Sequence, residues 1–171
     1  MKRLSPRTTR ALKALHLVGV TVWVSGVVCT GAVVLALSQQ ASQEGMLALL
    51  SLAELADYLL IIPGATACYL LGTVYGLFTA WGFVRHRWVA AKWVLYNIAC
   101  IPAMVLALPT VKAMRQLVLL NGAAAPSVPG FQEKLVLLGA LSGYILVIAT
   151  AIALVSVYKP FRKKKNTETA K

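Results

Sequence analysis

The sequence predicts an all-α protein, a four-helix transmembrane bundle with its N- and C-termini on the cytoplasmic side. Three observations lead there. The chain is 59% hydrophobic and 13% charged, with mean hydropathy +0.76, whereas a soluble domain is about half apolar and a quarter charged. Its apolar residues fall in four runs, each long enough for the ~20 residues a helix needs to cross a ~30 Å hydrocarbon core. Its basic residues gather at one end of those runs.

The runs cover about 14–37, 58–84, 93–114 and 135–158. None alternates in polarity as a membrane strand would, and a strand needs only about 9–11 residues. The first has a basic start and an apolar stretch, like a signal peptide. It exceeds the roughly 7–15 residues of a signal-peptide core and holds His16 and Trp23, so it reads as a retained span. Residues 1–160 form a single membrane domain, and the basic tail, 161–171, is expected to be disordered.

Fourteen of the seventeen Lys and Arg residues lie in the N-terminal segment, the loop between spans two and three, and the tail. On the other side stand Lys112, Arg115 and Lys134. The positive-inside rule makes the rich side cytoplasmic, and the expected location is a bacterial inner membrane. A net charge of +12 would suggest nucleic acid in a soluble protein. Here the charges flank apolar runs, so the expected partners are the bilayer and its anionic headgroups, and nucleic acid is excluded. Cys29, Cys68 and Cys100 all lie inside apolar runs, without CxxC or zinc spacing, and read as small hydrophobes.

Between the spans, 38–57 is expected to hold a partly amphipathic helix around 46–55. The segment 115–134 carries Asn121-Gly122 and Pro126 to Gly130, a turn-rich stretch. The short loop 85–92 makes spans two and three antiparallel neighbours. In span one, His16, Gly19, Trp23, Gly26 and Thr30 form one stripe at alternating spacings of three and four, expected to face the bundle. Gly72 and Gly76 in span two, with Gly139 and Gly143 in span four, are candidate packing seams. Pro63, Pro102 and Pro109 should kink or open their helices.

An ionisable residue inside a span is a functional candidate by default. His16 is the main one. Counting from Arg10 places it roughly 9 Å deep, and Thr79 and Asn97 reach a similar depth from Arg85 and Lys92. Together they are a candidate polar layer in the cytoplasmic half. His16 has three readings: a structural hydrogen bond to another span, an axial ligand of a haem iron, or a contact to a quinone or porphyrin. Trp23, two turns away, either fills the core or lines a pocket with it. His86 sits between Arg85 and Arg87 at the surface, so bis-histidine ligation with His16 is awkward. Arg85, Arg87 and Lys92 suit haem propionates or lipid phosphates alike. Trp81, Trp88, Trp93 and Tyr158 read as an interfacial belt. HExxH, Walker and GxSxG patterns are absent from the sequence. No acid is expected deep in a span, which argues against transport through a buried carboxylate.

The stretch LKALHLVGVTVWVSGVV, residues 12–28, resembles the first span of a large bacterial group of small, mostly uncharacterised four-span membrane proteins. WGFVRHRWVAAKWVL, residues 81–95, is similar to a second signature of that group. The first stretch is more distantly similar to the histidine-bearing span of membrane protoporphyrinogen oxidases and copper-resistance membrane proteins. That likeness implies haem b on His16. The arginine that follows the tryptophan in the oxidases has no counterpart here. Two functions remain open. One is a haem-binding or quinone-linked protein using His16, with Trp23, Thr79 and Asn97 lining the site and Arg85, His86 and Lys92 at its rim. The other is a non-enzymatic or accessory membrane component, an oligomer or a partner's subunit, in which His16 only ties helices together.

Overall fold

In the computed structural model of the chain, residues 5–78 and 86–158 are described. Thr79, Trp81, Arg85 and the tail 161–171 lie outside the described residues. The first helix, α1 (Pro6–Leu37, 32 residues), is set by its N-cap: Ser5 Oγ accepts from the Thr8 N–H at 3.2 Å, and Pro6 takes the first turn. After a short turn, α2 (Gln43–Ala56) starts on the Ser42 hydroxyl, which accepts from the Gly45 N–H at 3.2 Å.

Instead of ending before span two, α2 runs straight into it. A π-helical turn (Asp57–Ile61) joins it to α3 (Ile62–Phe78), and the Ile62 N–H reaches back to the Asp57 carbonyl. Pro63 stands immediately beyond. Without an N–H it cannot supply the i→i−4 bond to residue 59, and a widened turn absorbs the defect. The expected amphipathic segment and the expected span are thus one helix, 36 residues long.

The chain returns through α4 (Arg87–Asn121, 35 residues), with Pro102 and Pro109 inside it. Gly122 ends α4 at φ +58°, a backbone region where a side chain would be strained. A 3-10 turn (Gly122–Ser127) fills the turn-rich stretch, and α5 (Pro129–Tyr158) completes the bundle. Among the described residues, four helices are long and apolar enough to cross a membrane, as a multi-pass membrane protein requires. All described residues of α1 to α5 are arranged so that Pro6 and Tyr158 share one end, here called the terminal end; the α1–α2 and α4–α5 connections form the distal end.

Two hydrophobic clusters divide the interior. The distal one joins Val33, Leu37, Met46, Leu50, Val111, Met114, Phe131 and Leu138 from all of α1, α2, α4 and α5. The inner one is smaller: Trp23, Val27, Ala99, Ile145 and Ile148. α1 packs on α3, α5 and α2, while α4 packs on α5 and α2. α3 and α4 meet mainly through rings, with Tyr69 edge-on to Trp93 (5.3 Å, 82°) and tilted to Tyr96 (6.2 Å). Loop neighbours they are, but aromatic side chains hold them apart.

Candidate functional site

The predicted stripe on α1 does face the bundle. Gly19, Trp23, Gly26 and Thr30 are buried and His16 is half-buried. The stripe lies against α3 with little room. A methyl built on Gly64 would stand 2.5 Å from the Trp23 backbone nitrogen, and one on Gly26 would stand 2.8 Å from Leu60 Cβ. One on Gly19 would stand 3.3 Å from Cys68 Sγ. Small residues here let two backbones touch, the usual way helices associate in lipid.

His16 is one of two buried side chains that the structure leaves unsatisfied among the described residues. Its Nδ1 is buried and has no hydrogen-bond partner among the described residues. Cys68 Sγ points at the His16 carbonyl, 4.0 Å away. Trp23 belongs to the inner cluster, 4% exposed, with Tyr96 tilted against it at 5.4 Å. Of the two roles expected for Trp23, it takes the core-filling one.

Asn97 is placed elsewhere. Its amide nitrogen donates to the Trp93 carbonyl of its own helix at 2.8 Å. With Trp93, Ile98, Ile101, Pro102 and Tyr144 it lines a lateral groove of about 560 Å³ on the α4–α5 side. No hydrogen bond joins His16 to Asn97 among the described residues, and the third member of the expected layer, Thr79, lies outside them. His86 is exposed just before α4, its ring stacked with Trp88 at 6.3 Å. Lys92 Nζ sits 4.7 Å over the Trp88 ring. These two occupy the terminal rim, with Arg85 outside the described residues.

Three tyrosine hydroxyls tie the helices together, and no periodicity announces them. Tyr75 donates to the Thr9 carbonyl, joining α3 to α1. Tyr96 donates to the Ala65 carbonyl at 2.6 Å, joining α4 to α3. Tyr144 donates to the Ile98 carbonyl at 3.0 Å, joining α5 to α4. The last is chemically specific. Ile98 lies four residues before Pro102, so its carbonyl has lost its helical donor, and Tyr144 replaces it.

The sequence also missed Asp57. Taken as the last residue of an outer segment, it is instead 3% exposed, and its Oδ2 has no hydrogen-bond partner among the described residues. The nearest acid on its helix face, Glu54, is paired with Arg115 at 3.4 Å, and Arg115 also donates to Ser51 Oγ at 3.0 Å. Among the described residues the buried polar side chains are Thr30, Asp57, Thr110 and Ser142, one from each span. Their sequence positions place Thr30, Asp57 and Ser142 at the junction between the two hydrophobic clusters, and Thr110 beside Val111 at the near edge of the distal one. A usable signal was present, since each hydroxyl interrupts an apolar run.

No group of three or more His, Cys, Asp and Glu side chains suited to a metal ion occurs among the described residues. Comparison with family models, with curated proteins and with solved structures gives no match to this chain.

Proposed function

We propose that this chain is a non-enzymatic accessory component of a bacterial-type inner membrane, with both termini cytoplasmic, that works by lateral association with another membrane helix. The observation that carries this reading is the groove on the α4–α5 side. It is apolar along most of its lining, opens sideways, and holds the amide of Asn97. Among the described residues Asn97 makes one hydrogen bond, through one N–H, which leaves an acceptor and a second donor at a depth where lipid tails offer neither. An amide in such a place is the kind of group that hydrogen-bonds across helices in membranes. Because it both donates and accepts, two copies related by a two-fold axis can pair it with itself. The strong bias of basic residues to the terminal end supports the orientation, and the first-span stretch around His16 and Trp23 supports grouping the chain with the small four-span bacterial proteins.

The test is association in lipid nanodiscs, read by mass and by cross-linking from Ile101→Cys. A stable pair that Asn97→Leu or Ile101→Trp dissociates supports the reading. A chain that stays monomeric at every loading, with cross-links reaching only lipid, removes it.

One observation favours a second reading, the orphaned His16 Nδ1. A buried imidazole nitrogen without a partner suits an axial ligand of haem b or a hydrogen bond to a quinone carbonyl. The donor fits, but the room on the α3 side does not, since Gly19 and Cys68 close the seam one turn away. A quinone edge asks for less space than a macrocycle. A Soret band in protein purified from cells supplied with haem precursor, lost in His16→Ala, would establish the haem form. A colourless protein would leave the imidazole to a quinone or to the fold.

A further inference from the structure

We propose that Asp57 is a proton-binding site, which takes up and releases H⁺ at the junction of the two hydrophobic clusters and exchanges it with the distal end through Glu54. Four observations converge. Asp57 is 3% exposed, with one carboxyl oxygen fully enclosed and unpartnered among the described residues. An ionised carboxylate left so is costly by several kcal/mol, and ionisable groups inside membrane bundles mark ion and proton paths.

The hydroxyls at the same junction offer the wrong half of a hydrogen bond for a carboxylate. Thr30 Oγ1 already donates to the Gly26 carbonyl at 3.2 Å, and Ser142 Oγ donates to Leu138 at 3.0 Å. What they have left are lone pairs, which accept from a carboxylic acid O–H and repel a carboxylate. The register agrees. Gly26 lies against Leu60 and Ile61, so one turn further along antiparallel helices Thr30 comes level with Asp57. Ser142 lies beside Gly31 of the same turn, where a methyl on the glycine would be 3.8 Å from Ser142 Cβ.

The charge around the site also has a direction. Glu54 is one turn from Asp57 toward the distal end, close enough on one helix face for the two side chains to be neighbours. Its side chain is 22% exposed and that of Arg115 is 40% exposed, so this pair is open to solvent. From α4, Lys112 lies over the Tyr58 ring at 5.9 Å, and Arg115 is engaged by Glu54. α1 brings only Cys29 to this region and α5 only Tyr144 as titratable groups. A proton therefore arrives on the Glu54 carboxylate, passes to Asp57, and turns its carboxylate into a neutral acid. Release is the reverse, and no electron or second reactant is involved.

A metal cation would compete for the same oxygen lone pairs, and sodium tests for it directly. The chain makes the test unusually clean, because Asp57 is its only aspartate. With carboxyl-¹³C-aspartate incorporated, infrared spectra of the whole chain in lipid vesicles report on this group alone. We expect a ¹³C-shifted carboxylic-acid band that exchanges with deuterium and grows as pH falls between about 9 and about 4. Asp57→Asn should abolish it, and Glu54→Gln should slow its response to a pH jump several-fold. A band fixed as carboxylate or fixed as acid across the range overturns the proposal. So does a band that sodium removes at constant pH while choline does not, since the site would then hold a metal cation.

Discussion

Replacing Gly64 with Ala is the sharpest probe of the α1–α3 seam. The added methyl would stand 2.5 Å from the Trp23 nitrogen and 2.8 Å from its Cα. These are backbone atoms, so no rotamer change relieves the overlap and the helices must separate locally. Overpacking of this kind costs about 1–3 kcal/mol, while Gly→Ala inside a helix returns up to about 1 kcal/mol of propensity. The net loss expected is about 1–2 kcal/mol, a five- to thirtyfold shift of the folding equilibrium. Gly143→Ala is the internal control, because a methyl there meets nothing within 4 Å. It keeps the propensity gain and should leave stability unchanged or raised by several tenths of a kcal/mol. Gly26→Ala should also cost stability: Ile61 Cγ1 at 2.6 Å belongs to a side chain that can turn, but Leu60 Cβ at 2.8 Å is fixed to its backbone. Reversible unfolding in mixed micelles, titrated with SDS and followed by Trp fluorescence and far-UV circular dichroism, gives the ranking. A Gly64→Ala protein as stable as the parent, or a Gly143→Ala protein less stable than Gly64→Ala, would refute the seam as described.

Two further outcomes follow from the same geometry. Tyr144→Phe strands the Ile98 carbonyl and should cost about 1 kcal/mol; in a Pro102→Ala background, where a backbone N–H returns to that carbonyl, the same change should cost much less, and a double-mutant cycle in SDS reads the difference. Ser127→Cys, exposed on the turn before α5, should react with a membrane-impermeant maleimide added outside intact cells; labelling only after lysis would reverse the proposed orientation.

The spans were legible because hydropathy is a local property: each apolar run is written in consecutive residues and needs no partner to be seen. The α1 stripe was legible for a related reason, since small residues at alternating spacings of three and four define a face on one helix. Asp57 was not, because the apolar run starts one residue later, at Tyr58, and only the continuous backbone through Asp57–Ile61 carries the acid inside. Pro63 was the local cue to that widened turn. Of the expected layer of His16, Thr79 and Asn97, Thr79 lies outside the described residues, and the Asn97 amide is bonded within its own helix. Counting residues gives height along a helix, but the direction a side chain takes around the axis depends on neighbours, and Asn97 looks toward the α4–α5 groove. The tyrosine ties were invisible for the same reason. A hydroxyl reaching a carbonyl 31 to 66 residues away is a property of the assembled bundle.

The unequal division of the interior gives the molecule a gradient of stiffness. The distal cluster locks four helices with side chains such as Met46, Met114 and Phe131 that are wholly enclosed, whereas α3 buries only Gly64 and Cys68 along its length. A load on the terminal end therefore falls first on the α3–α4 contact, where rings meet instead of backbones, while α3 stays fastened to α1. The junction that carries Asp57 is where such a displacement would meet the rigid part.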